Sequence, residues 1–133
     1  MWWRDFIFKV LEKRMVQVLG IGGLFFRAKD PDRLAQWYQT HLGINPVPTQ
    51  ENMQPWKTDG GVTVFSPFAH DTDYFPEHQS FMINFRVENL DAALAELSAE
   101  GIDNEGVVAM DGVGRFASIY DPEGNKIELW EPA

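Results

Sequence analysis

The chain has 133 residues, 44% apolar and 14% aromatic, which suffices for one domain with a hydrophobic core. It holds no cysteine, so disulfides and thiolate metal sites are excluded and a reducing, cytoplasmic setting is expected. A formal charge of −9 argues against nucleic acid, whose phosphates need clustered Lys and Arg, and no apolar run approaches the ~20 residues of a membrane-spanning helix.

Charge is uneven along the chain: residues 1–14 carry +2, residues 15–79 carry −3 and residues 80–133 carry −8. In residues 1–14, Trp2, Trp3, Phe6, Ile7, Val10 and Leu11 recur at helical spacing, with Arg4, Lys9, Lys13 and Arg14 mostly elsewhere. We read this as an accessory amphipathic segment ahead of a single domain at 15–133. Residues 18–28 then read as a strand weakened by Gly20, Gly22 and Gly23, with Leu24 and Phe26 on one face and Gly23, Phe25 and Arg27 on the other. Asp30 signals a helix cap and Pro31 suits the first helical position. Leu34, Trp37, Tyr38 and His41 or Leu42 form the apolar stripe, and Gly43 ends the helix. A Pro-rich stretch at 45–58 leads to a strand at 62–66. Residues 67–79, with proline near both ends, read as a long loop joining two halves.

The second half repeats the first. At a spacing of 59, Leu24 pairs with Ile83, Phe26 with Phe85, Arg27 with Arg86 and Asp30 with Asn89. Phe81, Ile83, Phe85 and Val87 share one face of a strand, with Met82, Asn84 and Arg86 opposite. Asn89 caps a helix whose stripe is Leu90, Ala93, Leu94 and Leu97, ending at Gly101. Strands follow near 105–110 and 115–120. The chain closes with a hairpin whose turn is Asp121, Pro122, Glu123, Gly124 and Asn125. Its last strand places Ile127 and Leu129 on the core face and Lys126, Glu128 and Trp130 on the other.

Two units of this kind, neither able to bury a sheet alone, predict an α+β fold: two tandem βαβββ modules, at about 18–67 and 80–131, forming one curved mixed sheet with helices outside. The stretches FFRAKDPDRLAQWYQTHLGI, FRVENLDAALAELSAEGI and DPEGNKIEL carry a resemblance to the vicinal oxygen chelate superfamily, the glyoxalase, bleomycin-resistance and extradiol-dioxygenase group. That resemblance implies a homodimer holding a small organic molecule in the concavity of the sheet. It also implies a metal in the enzymes of the group, with ligands at positions matching Gly23, Met82, Glu128 and a residue near Val64. Glycine, methionine and valine cannot ligate a hard divalent ion, and one carboxylate falls short of the roughly three protein ligands a catalytic site uses. No metal and no cofactor is therefore expected. The clustered His70, Asp71, Asp73, Glu77 and His78 repeat no ligand spacing and read as a polar loop, whose Tyr74 and Phe75 leave a lid over the pocket as an open alternative.

The faces turned from the helices assign the pocket: Phe25, Arg27, Met82, Asn84, Arg86 and Trp130, with Trp56 as a further aromatic wall. Glu128 is the candidate base, because desolvation among Phe25, Met82 and Trp130 favours its protonated form, and Tyr120 is the candidate acid. Two functions fit: a metal-independent lyase or isomerase removing a proton beside a carbonyl, or a sequestering protein of the bleomycin-resistance type. A structural dimer without ligand is the third.

Overall fold

The computed structural model describes residues 16–133; the accessory segment at 1–14 lies outside them. Helix α1 spans Pro31–Leu42, strand β1 Ile83–Arg86, helix α2 Leu90–Ala99, strand β2 Val107–Met110, strand β3 Gly114–Tyr120 and strand β4 Lys126–Pro132. Both helices begin where capping chemistry dictates. Asp30 accepts from the Arg33 amide at 3.2 Å and Asn89 from the Ala92 amide at 3.0 Å, each satisfying one orphan donor of a first turn. The two caps are mates in the 59-residue repeat, as are His41 and Glu100, which bond at 2.8 Å where the helices end.

The four strands form one open, mixed sheet in the order β1-β4-β3-β2, with β1 parallel to β4 and the other pairs antiparallel. This is the βαβββ unit expected at 80–131. The hairpin register is set by its turn. Asp121 accepts from the amides of Glu123 and Asn125 at 2.9 and 3.0 Å, and Gly124 takes φ 80°, a conformation costly for any residue with a Cβ.

Alternation then decides the layers. Ala117 and Ile119 of β3 and Ile127 and Leu129 of β4 turn to the helices and meet Leu34, Tyr38, Leu90, Leu94 and Leu97. Leu90, Ile119, Ile127 and Leu129 are fully buried, and each such side chain contributes roughly 1.5–3 kcal/mol. Glu131 accepts from the Leu90 amide at 2.9 Å, fixing the start of α2 to β4.

The first half departs from expectation. Among the described residues, 18–28 and 62–66 form no ladder, so the helix and cap of the first unit are present without its strands. A strand is stabilised by a paired neighbour and a covered face, and these segments have neither. Leu19 is 98% exposed, Phe25 87% and Phe65 88%. Gly20, Gly22 and Gly23 in the first stretch, and Gly60 and Gly61 just before the second, raise the entropic cost of ordering them further.

Candidate functional site

The second face of the sheet carries the site. The register sets Asn84 beside Glu128, Arg86 beside Trp130, Phe116 beside Trp130, Ser118 beside Glu128 and Tyr120 beside Lys126. Glu128 is only 8% exposed, so β4 is covered on both faces. What covers the second is the 67–79 loop. Tyr74 donates its hydroxyl to Glu128 Oε2, while Asn84 Nδ2 donates to Oε1 at 2.7 Å. Lys126 completes the cluster: its Nζ donates to the Tyr74 carbonyl at 2.5 Å and stands 4.1 Å from the centroid of the Tyr74 ring. Gln79 tethers the loop end like a short strand, donating to the Lys126 carbonyl at 2.8 Å and accepting from its amide at 2.9 Å. Burial, then the hydrogen bond to Glu128, push the Tyr74 phenol up to about 12, so it is a donor at every physiological pH.

Beyond Glu128 lies an aromatic floor. Phe116 and Trp130 are parallel within 3°, centroids 5.9 Å apart, and Trp130 Nε1 donates to the Val113 carbonyl at 3.0 Å. By alternation from Phe116, Val108 and Met110 of β2 continue this face, and both are exposed.

The expected site residues divide. Glu128, Asn84, Arg86 and Trp130 share the face, and Met82, half-buried, precedes β1 on the same alternation. Arg86 is already engaged: its guanidinium donates to the Asp59 and Gly60 carbonyls at 3.0 and 3.2 Å. Gly61, at φ 152°, leaves room for it, since a Cβ there would collide with that group. Tyr120 shares this face but stands across from Lys126, one same-face pair along from Glu128. The nearby Glu105 carboxylate raises the Tyr120 pKa, and Ser118 is the residue directly across from Glu128. Phe25 and Arg27 are elsewhere. They line a cleft of about 290 Å³ with Tyr38, Phe81, Ile83 and Ile127, residues of the helix-facing side. Trp56 packs edge-on to Phe85 at 6.0 Å, again a residue of the other face. With the strand at 18–28 unformed, nothing holds Phe25 over Glu128.

Tyr74, Lys126, Phe116 and Ser118 are the members that the pocket assignment omitted. Alternation from Glu128 and Tyr120 reaches the last three; only the fold brings Tyr74 in, from 54 residues away. The donor set does not fit the metal of the superfamily enzymes. At the positions that the resemblance matches to its ligands, Gly23 and Met82 offer no hard donor; both Glu128 oxygens accept hydrogen bonds, and no group of three or more His, Asp or Glu is placed to hold an ion among the described residues.

A family model described as a glyoxalase-like domain matches residues 23–130. Among solved structures, TnmS3, an antibiotic binding protein from Streptomyces sp. CB03234, is 23% identical over 79% of this chain and 88% of that one, with a TM-score of 0.54. A glyoxylase/bleomycin resistance protein/dioxygenase domain from Frankia sp. EAN1pec is 16% identical over 88% and 100% of the two chains, with a TM-score of 0.57. At these identities the likeness is one of fold. A glyoxalase family protein from Enterococcus faecalis is 28% identical, but the match spans only 45% of this chain and 54% of that one, with a TM-score of 0.37. No curated protein matches the chain significantly.

Proposed function

The chain belongs to the glyoxalase-like domain family, and from that premise we propose that it binds a small aromatic molecule on the second face of its sheet and holds it without chemical change. The observation that carries this reading is the state of Glu128, whose two oxygens are taken by Tyr74 and Asn84. A proton-abstracting base needs a lone pair aimed at the substrate. Here each oxygen already accepts from a donor of the protein itself, Tyr74 on one and Asn84 on the other. The Phe116–Trp130 floor, flanked by Val108 and Met110, suits a flat apolar ligand, and stacking on such a pair contributes roughly 0.5–1.5 kcal/mol beyond area burial. Antibiotic binding, as in TnmS3, is the kind of activity this geometry favours, in a cytoplasmic sequestering role. A homodimer is part of the proposal: the exposed Leu19, Phe25 and Phe65 are apolar surface that a second copy would cover.

The test is fluorescence titration with fused-ring aromatic natural products, followed by recovery of the compound. Saturable binding, weakened about tenfold by Phe116→Ala, with the compound recovered unaltered, is the expected result. Conversion of many equivalents of compound per chain, abolished by Glu128→Gln, would replace holding by catalysis and restore the proton-abstraction reading.

A further inference from the structure

Tyr74 enters its site as a ligand would. It comes from a loop and makes no ladder bond with the sheet, yet its ring and hydroxyl are both recognised by β4. The carboxylate of Glu128 accepts the hydroxyl, and Lys126 lies over the ring face at 4.1 Å. Asn84 holds the other carboxylate oxygen at 2.7 Å, so Glu128 keeps its orientation whether or not Tyr74 is present. A site of this composition is selective. The Glu128 charge opposes an anion, the Lys126 ammonium opposes a cation, and a ring without a hydroxyl leaves a buried carboxylate oxygen unpaired. A neutral phenol meets all three conditions.

Resting on the reading of this face as a small-molecule site, we propose that Lys126, Glu128 and Asn84 form a phenol-binding subsite which Tyr74 fills from within the chain, and that the ligand is a hydroxylated aromatic that displaces it. The loop is suited to release. Tyr74 is 40% exposed, and its backbone is tied to the sheet by the Lys126 bond alone; its amide instead donates to the Thr72 hydroxyl at 3.2 Å within the loop. Trp130 lies two residues beyond Glu128 on the same face, roughly 7 Å away along the strand. A ligand whose hydroxylated ring occupies the Tyr74 position therefore extends further rings onto Phe116 and Trp130. Tyr74 acts as an intramolecular competitor: any ligand must displace it, and its removal raises apparent affinity by the reciprocal of the fraction of time the site stands open, about tenfold if that fraction is about one tenth.

The experiment uses p-cresol, the analogue of the tyrosine side chain, against toluene, p-toluate and benzylamine, on the full chain and on Tyr74→Ala and Tyr74→Phe, read by NMR shifts on β4. Tyr74→Ala should bind p-cresol at least tenfold more tightly than the unaltered chain, with no comparable gain for the other three; adding Glu128→Gln, which leaves a neutral acceptor, should reduce the gain, and adding Glu128→Leu should abolish it. Tyr74→Phe, which keeps the ring and loses the hydroxyl, should show a smaller gain for p-cresol. Equal gains for p-cresol and toluene, or none in either variant, would overturn the proposal. If fused-ring compounds still shift Phe116 and Trp130 in that event, the small-molecule reading survives and only the phenol subsite falls. If Tyr74→Ala melts without cooperativity, the Tyr74→Phe comparison decides alone.

Discussion

Replacing Glu128 by glutamine separates a structural acceptor from a free base. The side chain is buried and accepts from two donors, Tyr74 and Asn84. Glutamine keeps volume and one acceptor, so Asn84 must turn its amide to receive from the new Nε2. Both bonds persist but become neutral. A hydrogen bond to a charged group is worth about 1.5–3 kcal/mol against about 0.5–1.5 for a neutral one, so the two exchanges together cost about 2–3 kcal/mol. Removing a desolvated charge returns part of this, leaving a net loss of about 1 kcal/mol near neutral pH. For a domain of this size that corresponds to about 3–5 °C in Tm. Thermal melts followed by circular dichroism at pH 7 measure it. A double-mutant cycle with Tyr74→Phe should give a coupling of about 1 kcal/mol. Burial alone, without the two donors, leads to the opposite expectation of unchanged or slightly higher stability for the glutamine variant. A variant at least as stable as the parent at pH 7, with no coupling, would refute the acceptor role.

Asp121→Ala should cost about 3 kcal/mol in denaturant melts, because it strands the buried Tyr38 hydroxyl, now 2.8 Å away, together with the Asn125 side chain and two turn amides; a loss under about 1 kcal/mol would show that the turn is held otherwise. Alkaline pH should destabilise the fold. Burial followed by the Asp121 hydrogen bond raises the Tyr38 pKa far above its usual range, and Tyr74 is raised to about 12. The unfolded phenols ionise first, near pH 10, so this stability is present below about pH 10 and is lost as pH rises toward the folded values. Tyr38→Phe should flatten the decline, with Tyr74, largely solvent-screened, contributing little. Elemental analysis of purified protein should find far less than one equivalent of Zn, Ni, Mn or Fe per chain, and a stoichiometric ion lost on Glu128→Ala would contradict the donor set described above.

Local chemistry was legible in the chain. Asp30, Pro31 and Gly43 announce α1, Asn89 announces α2, and the turn at 121–125 places β3 against β4, because caps and tight turns are satisfied by residues within four or five positions. Period-two alternation likewise put Asn84, Arg86, Glu128 and Trp130 on one face, since a strand can turn its side chains only two ways. The partners of those residues were not legible. Arg86 faces as alternation requires, but which carbonyls it meets depends on how residues 59–60 return across the sheet. Alternation at 18–28 sorts side chains correctly for a strand, but pairing needs a neighbour, and Phe25 and Arg27 lie against the helix side instead. Tyr74 reached Glu128 because a loop of arbitrary local sequence was carried there by the closing of β1 on β4. No spacing rule links positions 54 residues apart, whereas the desolvation of Glu128 makes a second donor at that point energetically necessary.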